Sequence, residues 1–130
     1  ASRYHPLAGR SSVTTEDLNN ARWALHQPGT GIRDATDTLL RQLGVSDSLQ
    51  ANELPSNMIL SLLRLGDHLA VVPRYVLKNT NLAGELVQIA GDVPRVALGH
   101  AAIRTERKAS RPVDRFIASM QSQLTGFDGV

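Results

Sequence analysis

Short strand-like runs alternate with amphipathic helical stripes along most of this chain, and this alternation constrains the fold more than any other feature. Helices are predicted from Ile32 to Gly44, from Pro55 to Gly66 and from Ser110 to Gly126, because apolar residues recur there at helical spacing. Strands that alternate with helices favour a mostly parallel sheet flanked by helices, so the predicted fold class is α/β. The strands are predicted at 21–26, 48–54, 68–72, 85–89 and 95–104, and shorter helical segments at 14–18 and 73–78.

Local signals indicate where these elements begin and how deeply they are buried. Thr14, Ser56 and Ser110 are the expected N-caps, because a hydroxyl oxygen can accept hydrogen bonds from first-turn amides. The helix after Ser56 carries apolar residues on more than one face, which predicts burial from two sides. The continuous apolar run at 68–72 is typical of a central strand that is covered on both faces.

Composition excludes several classes of protein. The 130 residues include no Cys, which removes disulfide frameworks, cysteine nucleophiles and thiolate metal sites. No apolar run approaches the ~20 residues that cross a bilayer, and the N-terminus lacks the apolar stretch of a signal peptide, so no membrane partner is expected. The net charge is only +2 and aromatic residues are 4% of the chain, which argues against direct nucleic-acid binding.

No arrangement of catalytic or metal-ligating residues stands out. His5, His26, His68 and His100 share none of the spacings typical of metal ligands. The serines and threonines near the N-terminus lack the glycine-flanked turn that presents a nucleophile. We therefore expect no enzymatic activity, no catalytic residue, no metal site and no cofactor.

Two strand–loop–helix junctions, at 27–32 and 54–58, carry the strongest functional signal. In an open α/β sheet, ligands bind in loops at the carboxyl ends of strands, and helix N-termini favour anions. If the two strands are neighbours, both helix N-termini converge on one crevice, which predicts a small polar or anionic ligand. The polar residues expected to face this crevice are Gln27, Thr30, Ser56 and Asn57.

The order of several short motifs resembles the effector-binding domain of LysR-type transcriptional regulators. The stretch from Ser61 to Pro73, with His68 where the wider family commonly has a glycine, is most similar to the subgroup named for the galactose-binding-protein regulator. The segments that carry the wider resemblance are His5–Ala8, Glu16–Leu18, Gly29–Arg33, Leu62–Gly66, Leu69–Arg74 and Ser110–Val113, together with Ser56, Phe116 and Ile117.

This resemblance implies a fold like that of type 2 periplasmic binding proteins, with two α/β subdomains around a ligand cleft. It implies a cytoplasmic domain that senses a small-molecule effector and forms homo-oligomers. The subgroup resemblance implies a sugar or sugar derivative as the effector. In the family, DNA is bound only through a winged helix-turn-helix, which this sequence does not show.

The resemblance also implies that the chain is a fragment of an effector domain. The winged helix-turn-helix and the opening part of the first subdomain are expected to be missing. Residues 1–20 correspond to the crossover from the first subdomain, 21–93 to the second subdomain, and 94–130 to a return strand and C-terminal helix of the first.

Effector contacts carried over from the family fall on three short segments. Two of them coincide with the crevice predicted from the strand–loop–helix junctions. The third is Ser2, for which a frayed terminus is an equally good interpretation. The implied contact residues are Ser2, Gln27, Pro28, Gly29, Thr30, Pro55, Ser56 and Asn57.

A solute-binding protein of a transport system, with the same architecture, is the alternative function. The coding sequence upstream would separate the two functions. A helix-turn-helix there would support the regulator, whereas a signal peptide would support the transport protein.

Overall fold

A computed structural model describes residues 1–46, 48–74, 76–77, 84–89 and 111–125, with side chains up to residue 122. The chain divides into two compact units, Ala1–Val96 and Ala97–Val130. The elements of the first unit are α1 (Thr15–Asn20), β1 (Arg22–His26), α2 (Gly31–Gln42), β2 (Gln50–Leu54), α3 (Ser56–Leu63) and β3 (His68–Leu69), and the second unit contributes α4 (Arg111–Thr125).

The three described strands form one parallel sheet in the order β2-β1-β3. β1 pairs with β2 along its whole length, from Arg22 opposite Gln50 to His26 opposite Leu54. Parallel neighbours connected through helices confirm the predicted α/β class. The prediction of a central strand at 68–72 is wrong for this described sheet. β3 has two residues, and among the described strands it pairs with β1, which occupies the middle position.

β1 occupies the middle of the sheet because both of its faces are buried. Trp23 and Leu25 pack on one face with Leu40 of α2. Ala24 packs on the opposite face with Ile59 of α3. Successive strand side chains point to opposite faces, so one short strand joins two separate apolar clusters.

A reciprocal pair of hydrogen bonds begins α1 and confirms the cap predicted at Thr14. The Thr14 hydroxyl oxygen accepts from the Asp17 amide at 3.1 Å, and the Asp17 carboxylate accepts from the Thr14 amide at 2.9 Å. The bonds from Thr14 hold the pKa of Asp17 below its ordinary value. The contribution of this ionised carboxylate to stability is therefore complete above the ordinary pKa and is lost as the pH falls through the lowered one.

We expect Thr14→Ala to lower the free energy of unfolding by about 1 kcal/mol, because it removes the acceptor for a first-turn amide. Urea unfolding followed by the fluorescence of Trp23, the one tryptophan of the chain, measures this loss. Ser12→Ala is the matched control, since Ser12 is exposed just before the helix. Equal losses in the two variants would contradict the capping role.

The start of α3 differs from the prediction. Pro55 occupies the N-cap position, its carbonyl accepts from the Met58 amide at 2.9 Å, and no side-chain cap is present. Ser56 is instead the first helical residue, so the cap predicted there is wrong. Burial from two sides is also wrong: Ile59 and Leu63 are buried on one face, whereas Met58 is exposed. Apolar composition alone did not reveal which face meets the sheet.

The predicted strand at 85–89 is wrong, because only a single antiparallel bridge forms there, between Ser2 and Leu86. The Val87 amide also donates to the Ala1 carbonyl at 2.8 Å. These contacts bury Ser2, so the frayed-terminus interpretation of that residue is wrong as well.

The remaining predicted elements are described only in part. Residues 76–77 of the segment predicted at 73–78 are helical. α4 confirms the third predicted helix. The predicted strand at 95–104, the cap at Ser110 and the helix end at Gly126 lie outside the described residues.

Candidate functional site

The carboxyl ends of β1 and β2 lie side by side at one edge of the sheet. β1 ends at His26 directly opposite Leu54, the last residue of β2, and β3 lies on the other side of β1. The two strands that precede the polar junctions are therefore neighbours. α2 and α3 consequently begin at the same edge, and the segment after β3 continues beside them.

A cavity of about 260 Å³ lies at this edge. Its described walls come from the end of β1, the first turn of α2, the first half of α3 and the segment after β3. Six of the described lining residues are apolar, and the other two are a histidine and a serine. The lining residues are His26, Ile32, Ser56, Ile59, Leu60, Val72, Pro73 and Val76.

Ser56 is the only one of the sequence-predicted site residues among those described cavity walls. Gln27, Pro28 and Gly29 are exposed in the loop before α2. Pro55 and Asn57 are also exposed, at the start of α3. These five residues are close in sequence to residues that line the cavity, but they are not among the lining residues themselves.

Thr30 and Ser2 have structural hydrogen bonds of their own. The Thr30 hydroxyl donates to the Gln27 carbonyl at 2.9 Å and accepts from the Arg33 amide at 3.3 Å, so it closes the loop and caps α2. The Ser2 hydroxyl oxygen accepts from the Tyr4 amide at 3.3 Å, and Ser2 is not among the residues that line the cavity.

Sequence reasoning missed His26 as a site residue. Its side chain lines the cavity, and the residue is 4% exposed. This burial lowers the pKa of His26 below its ordinary value of 6.5. The available signal was its position: it ends the strand before the first junction, two residues from Ala24 and so on the same face.

Arg33 fixes the geometry of this edge. Its guanidinium donates to the His26 carbonyl at 2.9 Å, to the Glu53 carboxylate at 2.6 Å and to the Asp37 carboxylate at 2.8 Å. The bonds to Glu53 and Asp37 raise the pKa of Arg33 above its already high ordinary value. One side chain therefore holds the ends of β1 and β2 against α2.

A second polar cluster lies away from the cavity, at the amino end of β3. The His68 ring contacts the Asp67 carboxylate at 2.6 Å and the Asn52 side-chain oxygen at 3.1 Å. Arg22 donates to the same Asp67 carboxylate at 3.0 Å. These bonds connect β3 to β2 across β1, so the cluster supports the sheet.

The chemistry available at the cavity is that of binding. α3 begins there without a side-chain cap, so its first two amides, those of Ser56 and Asn57, have no capping side chain, and the helix dipole favours a negative group. Within the part of the chain that the structure describes, no three His, Asp or Glu residues converge as metal ligands. The described helices also include none that is long and apolar enough to cross a membrane.

One curated protein is similar in sequence to this chain. The HTH-type transcriptional regulator CysL of Bacillus subtilis (strain 168) is 28% identical over 90 residues, which are 66% of this chain and 29% of that protein. The chain thus spans less than a third of the length of this curated relative. No solved structure matches it.

The family comparison agrees with the fold. The LysR substrate binding domain matches residues 1–125. This domain has the periplasmic-binding-protein-like α/β architecture, as predicted, and it is the ligand-binding domain of transcription regulators and not an enzyme family. The chain therefore belongs to the LysR substrate-binding domain family.

Proposed function

We propose that this chain is the small-molecule-sensing part of a LysR-type transcription regulator and that its effector occupies the cavity at the carboxyl edge of the sheet. The observation that carries this proposal is that three segments, each following a parallel strand, line one cavity. Ligands of open α/β sheets bind at this position. A solute-binding role in transport is less well supported, because the curated relative is a transcription regulator.

The wider protein context forms part of the same proposal. DNA binding would belong to a winged helix-turn-helix elsewhere in the regulator, and the protein would act in the cytoplasm. The division into a crossover (1–20), a second subdomain (21–93) and a returning segment (94–130) remains a prediction.

Homo-oligomerisation is proposed through α4. Its described apolar residues Val113, Phe116 and Met120 are exposed, and they recur at helical spacing. A second copy of the chain is the partner we propose for this apolar stripe, in keeping with the oligomers expected from the family resemblance.

The polar residues around the cavity support an effector with a polar or anionic group. Gln27 and Asn57 present exposed amides beside the two helix starts, and Ser56, which is also exposed, lines the cavity. A sugar or sugar derivative, as the subgroup resemblance implies, is one candidate effector.

Ser56→Ala tests the position of the site. We expect the free energy of unfolding to change by less than about 0.5 kcal/mol, because Ser56 makes no capping bond. Effector affinity should fall about 2- to 12-fold, since one neutral hydrogen bond contributes roughly 0.5–1.5 kcal/mol. Thermal-shift screening of sugars, sugar phosphates and small carboxylates finds the ligand, and calorimetry then compares the variants.

Ser61→Ala is the matched control for this experiment. Ser61 lies on the same helix, is exposed and does not line the cavity. Its substitution should leave the affinity unchanged. If neither Ser56→Ala nor Ser61→Ala changes the affinity for the ligand, the proposal that the effector binds in the cavity is wrong.

A further inference from the structure

We propose that the cavity takes an apolar carboxylate, with its acid group at His26 and Ser56 and its apolar body against the remaining walls. This inference rests on the proposed function, because it names the chemical class of the effector for the same cavity. It makes His26 a specificity-determining residue and favours an apolar acid over a sugar.

The lining determines which ligand body fits. Apart from His26 and Ser56, the described walls are the apolar side chains of α2, α3 and the segment after β3. These walls offer few hydrogen-bond partners to a sugar, and each hydroxyl group that they bury without a partner costs roughly 1–3 kcal/mol. An apolar body gains free energy from the same contacts.

The size of the cavity agrees with a small acid. Its volume of about 260 Å³ equals the liquid volume of roughly nine water molecules, at about 30 Å³ for each. A ring or short chain that carries one carboxylate has about that number of non-hydrogen atoms. Such a ligand is small enough to enter the cavity.

The His26 side chain is buried but has no hydrogen-bond partner of its own. The bond from Arg33 goes to the backbone carbonyl of His26, and no bond of the described residues involves the ring. Every fully sealed side-chain nitrogen and oxygen of the described residues does have a partner. The ring nitrogens therefore retain access to open space, and the cavity provides that space. A ligand acceptor placed in that space could accept a hydrogen bond from the ring.

The start of α3 supplies donors beside His26. Ser56 is the first residue of this eight-residue helix, and no side chain caps its first amides. Free amides and the positive end of the helix dipole stabilise an anion at such a position. A carboxylate between the ring and the helix start would satisfy both sets of donors.

Among the described residues, Arg33 is a cation that contacts His26, and its charge is paired with Asp37 and Glu53. Arg74, in the segment after β3, is exposed. Burial is the one cause that lowers the pKa of His26, so the ring is neutral near pH 7 while the cavity is empty. A bound carboxylate favours the protonated ring, and binding therefore takes up a proton.

Three probes separate the possible ligand classes. Cyclohexanecarboxylate has an apolar body and a negative charge, cyclohexanecarboxamide has the same shape without the charge, and galacturonate has the charge on a polyhydroxylated body. Calorimetry with the 130-residue chain should show tightest binding of cyclohexanecarboxylate. Its affinity should rise by up to about tenfold per pH unit as the pH is lowered from about 8 to about 6, where the probe remains ionised.

His26→Gln tests the residue directly. This variant keeps a polar side chain but cannot take up the proton, so cyclohexanecarboxylate should bind more weakly and without pH dependence. Fluorescence of the neighbouring Trp23 verifies the fold. If the variant does not fold, the comparison of carboxylate with carboxamide in the unaltered chain still decides the outcome.

Several results would overturn the inference. These are equal affinity for the carboxamide, pH-independent binding of the carboxylate, and no binding of cyclohexanecarboxylate at all. Galacturonate binding that depends on Ser56, without cyclohexanecarboxylate binding, would overturn the ligand class and leave the proposed function intact. Failure of the proposed function would give a different result: the ligands found by screening would bind the Ser56→Ala variant as tightly as the unaltered chain.

Discussion

Leu63→Ala is expected to lower the free energy of unfolding by about 2–5 kcal/mol. Leu63 is 1% exposed and packs with Ala24, Ile59 and Leu86 in the cluster between β1 and α3. Its truncation removes apolar contacts and leaves a cavity that rigid neighbours fill only in part. Urea unfolding followed by Trp23 fluorescence measures the loss, because Trp23 lies in the central strand.

Leu65→Ala provides the matched control. Leu65 is 75% exposed, so the same chemical change should alter the unfolding free energy by less than about 0.5 kcal/mol. Comparable losses at the two positions would mean that α3 does not pack through the face seen here.

Arg33→Met is expected to cost about 1.5–3 kcal/mol of stability and to weaken effector binding as well. The Arg33 side chain is 16% exposed and donates to a backbone carbonyl and two carboxylates. Methionine replaces the apolar stem but leaves the His26 carbonyl without its donor. Because that carbonyl belongs to the residue that lines the cavity, the loss should appear in calorimetric affinity as well as in unfolding.

Arg22→Met is the control that separates the predicted losses of stability and affinity in Arg33→Met from the general loss of a positive charge. Arg22 is 61% exposed and pairs with the half-exposed Asp67, an arrangement that contributes less than about 1 kcal/mol. Its removal should leave effector affinity unchanged. A similar loss of stability and affinity in both variants would contradict the special position of Arg33.

Much of the local structure could be predicted from neighbouring residues. Hydrophobic periodicity correctly predicted α2, α3 and α4, and hydroxyl chemistry predicted the cap at Thr14. The N-cap predicted at Ser56 was wrong because Pro55 precedes it. Pro55 itself ends the extended segment and occupies the N-cap position of the helix. Whether the N-cap is Pro55 or Ser56 depends on backbone angles, which cannot be read from the amino-acid composition.

Sheet position depends on contacts between distant residues, and this is where sequence reasoning failed. The run at 68–72 has the composition of a central strand, yet β1 takes that position through its pairing with β2 and β3. The segment at 85–89 pairs with the N-terminus instead of extending the sheet. Both outcomes are set by pairing between residues far apart in the chain.

The candidate site was only partly accessible to prediction. The two junctions were predicted to be neighbours if their strands paired, and the register of β1 and β2 satisfies that condition. Which side chains form the cavity walls depends on the packing of α3 and the segment after β3. His26 was therefore not predicted: its position at the end of β1 was visible in the sequence, but the burial of its ring depends on that packing.

The cavity walls come from three stretches that are distant in sequence, near residues 26–32, 56–60 and 72–76. A ligand that touches all three acts as a non-covalent cross-link. It adds stability through mass action, about 2.7 kcal/mol at a concentration 100 times its dissociation constant. The same free energy opposes any local unfolding that would separate two of these stretches from each other. Ligand binding in the cavity would thus stiffen three stretches of the chain at once.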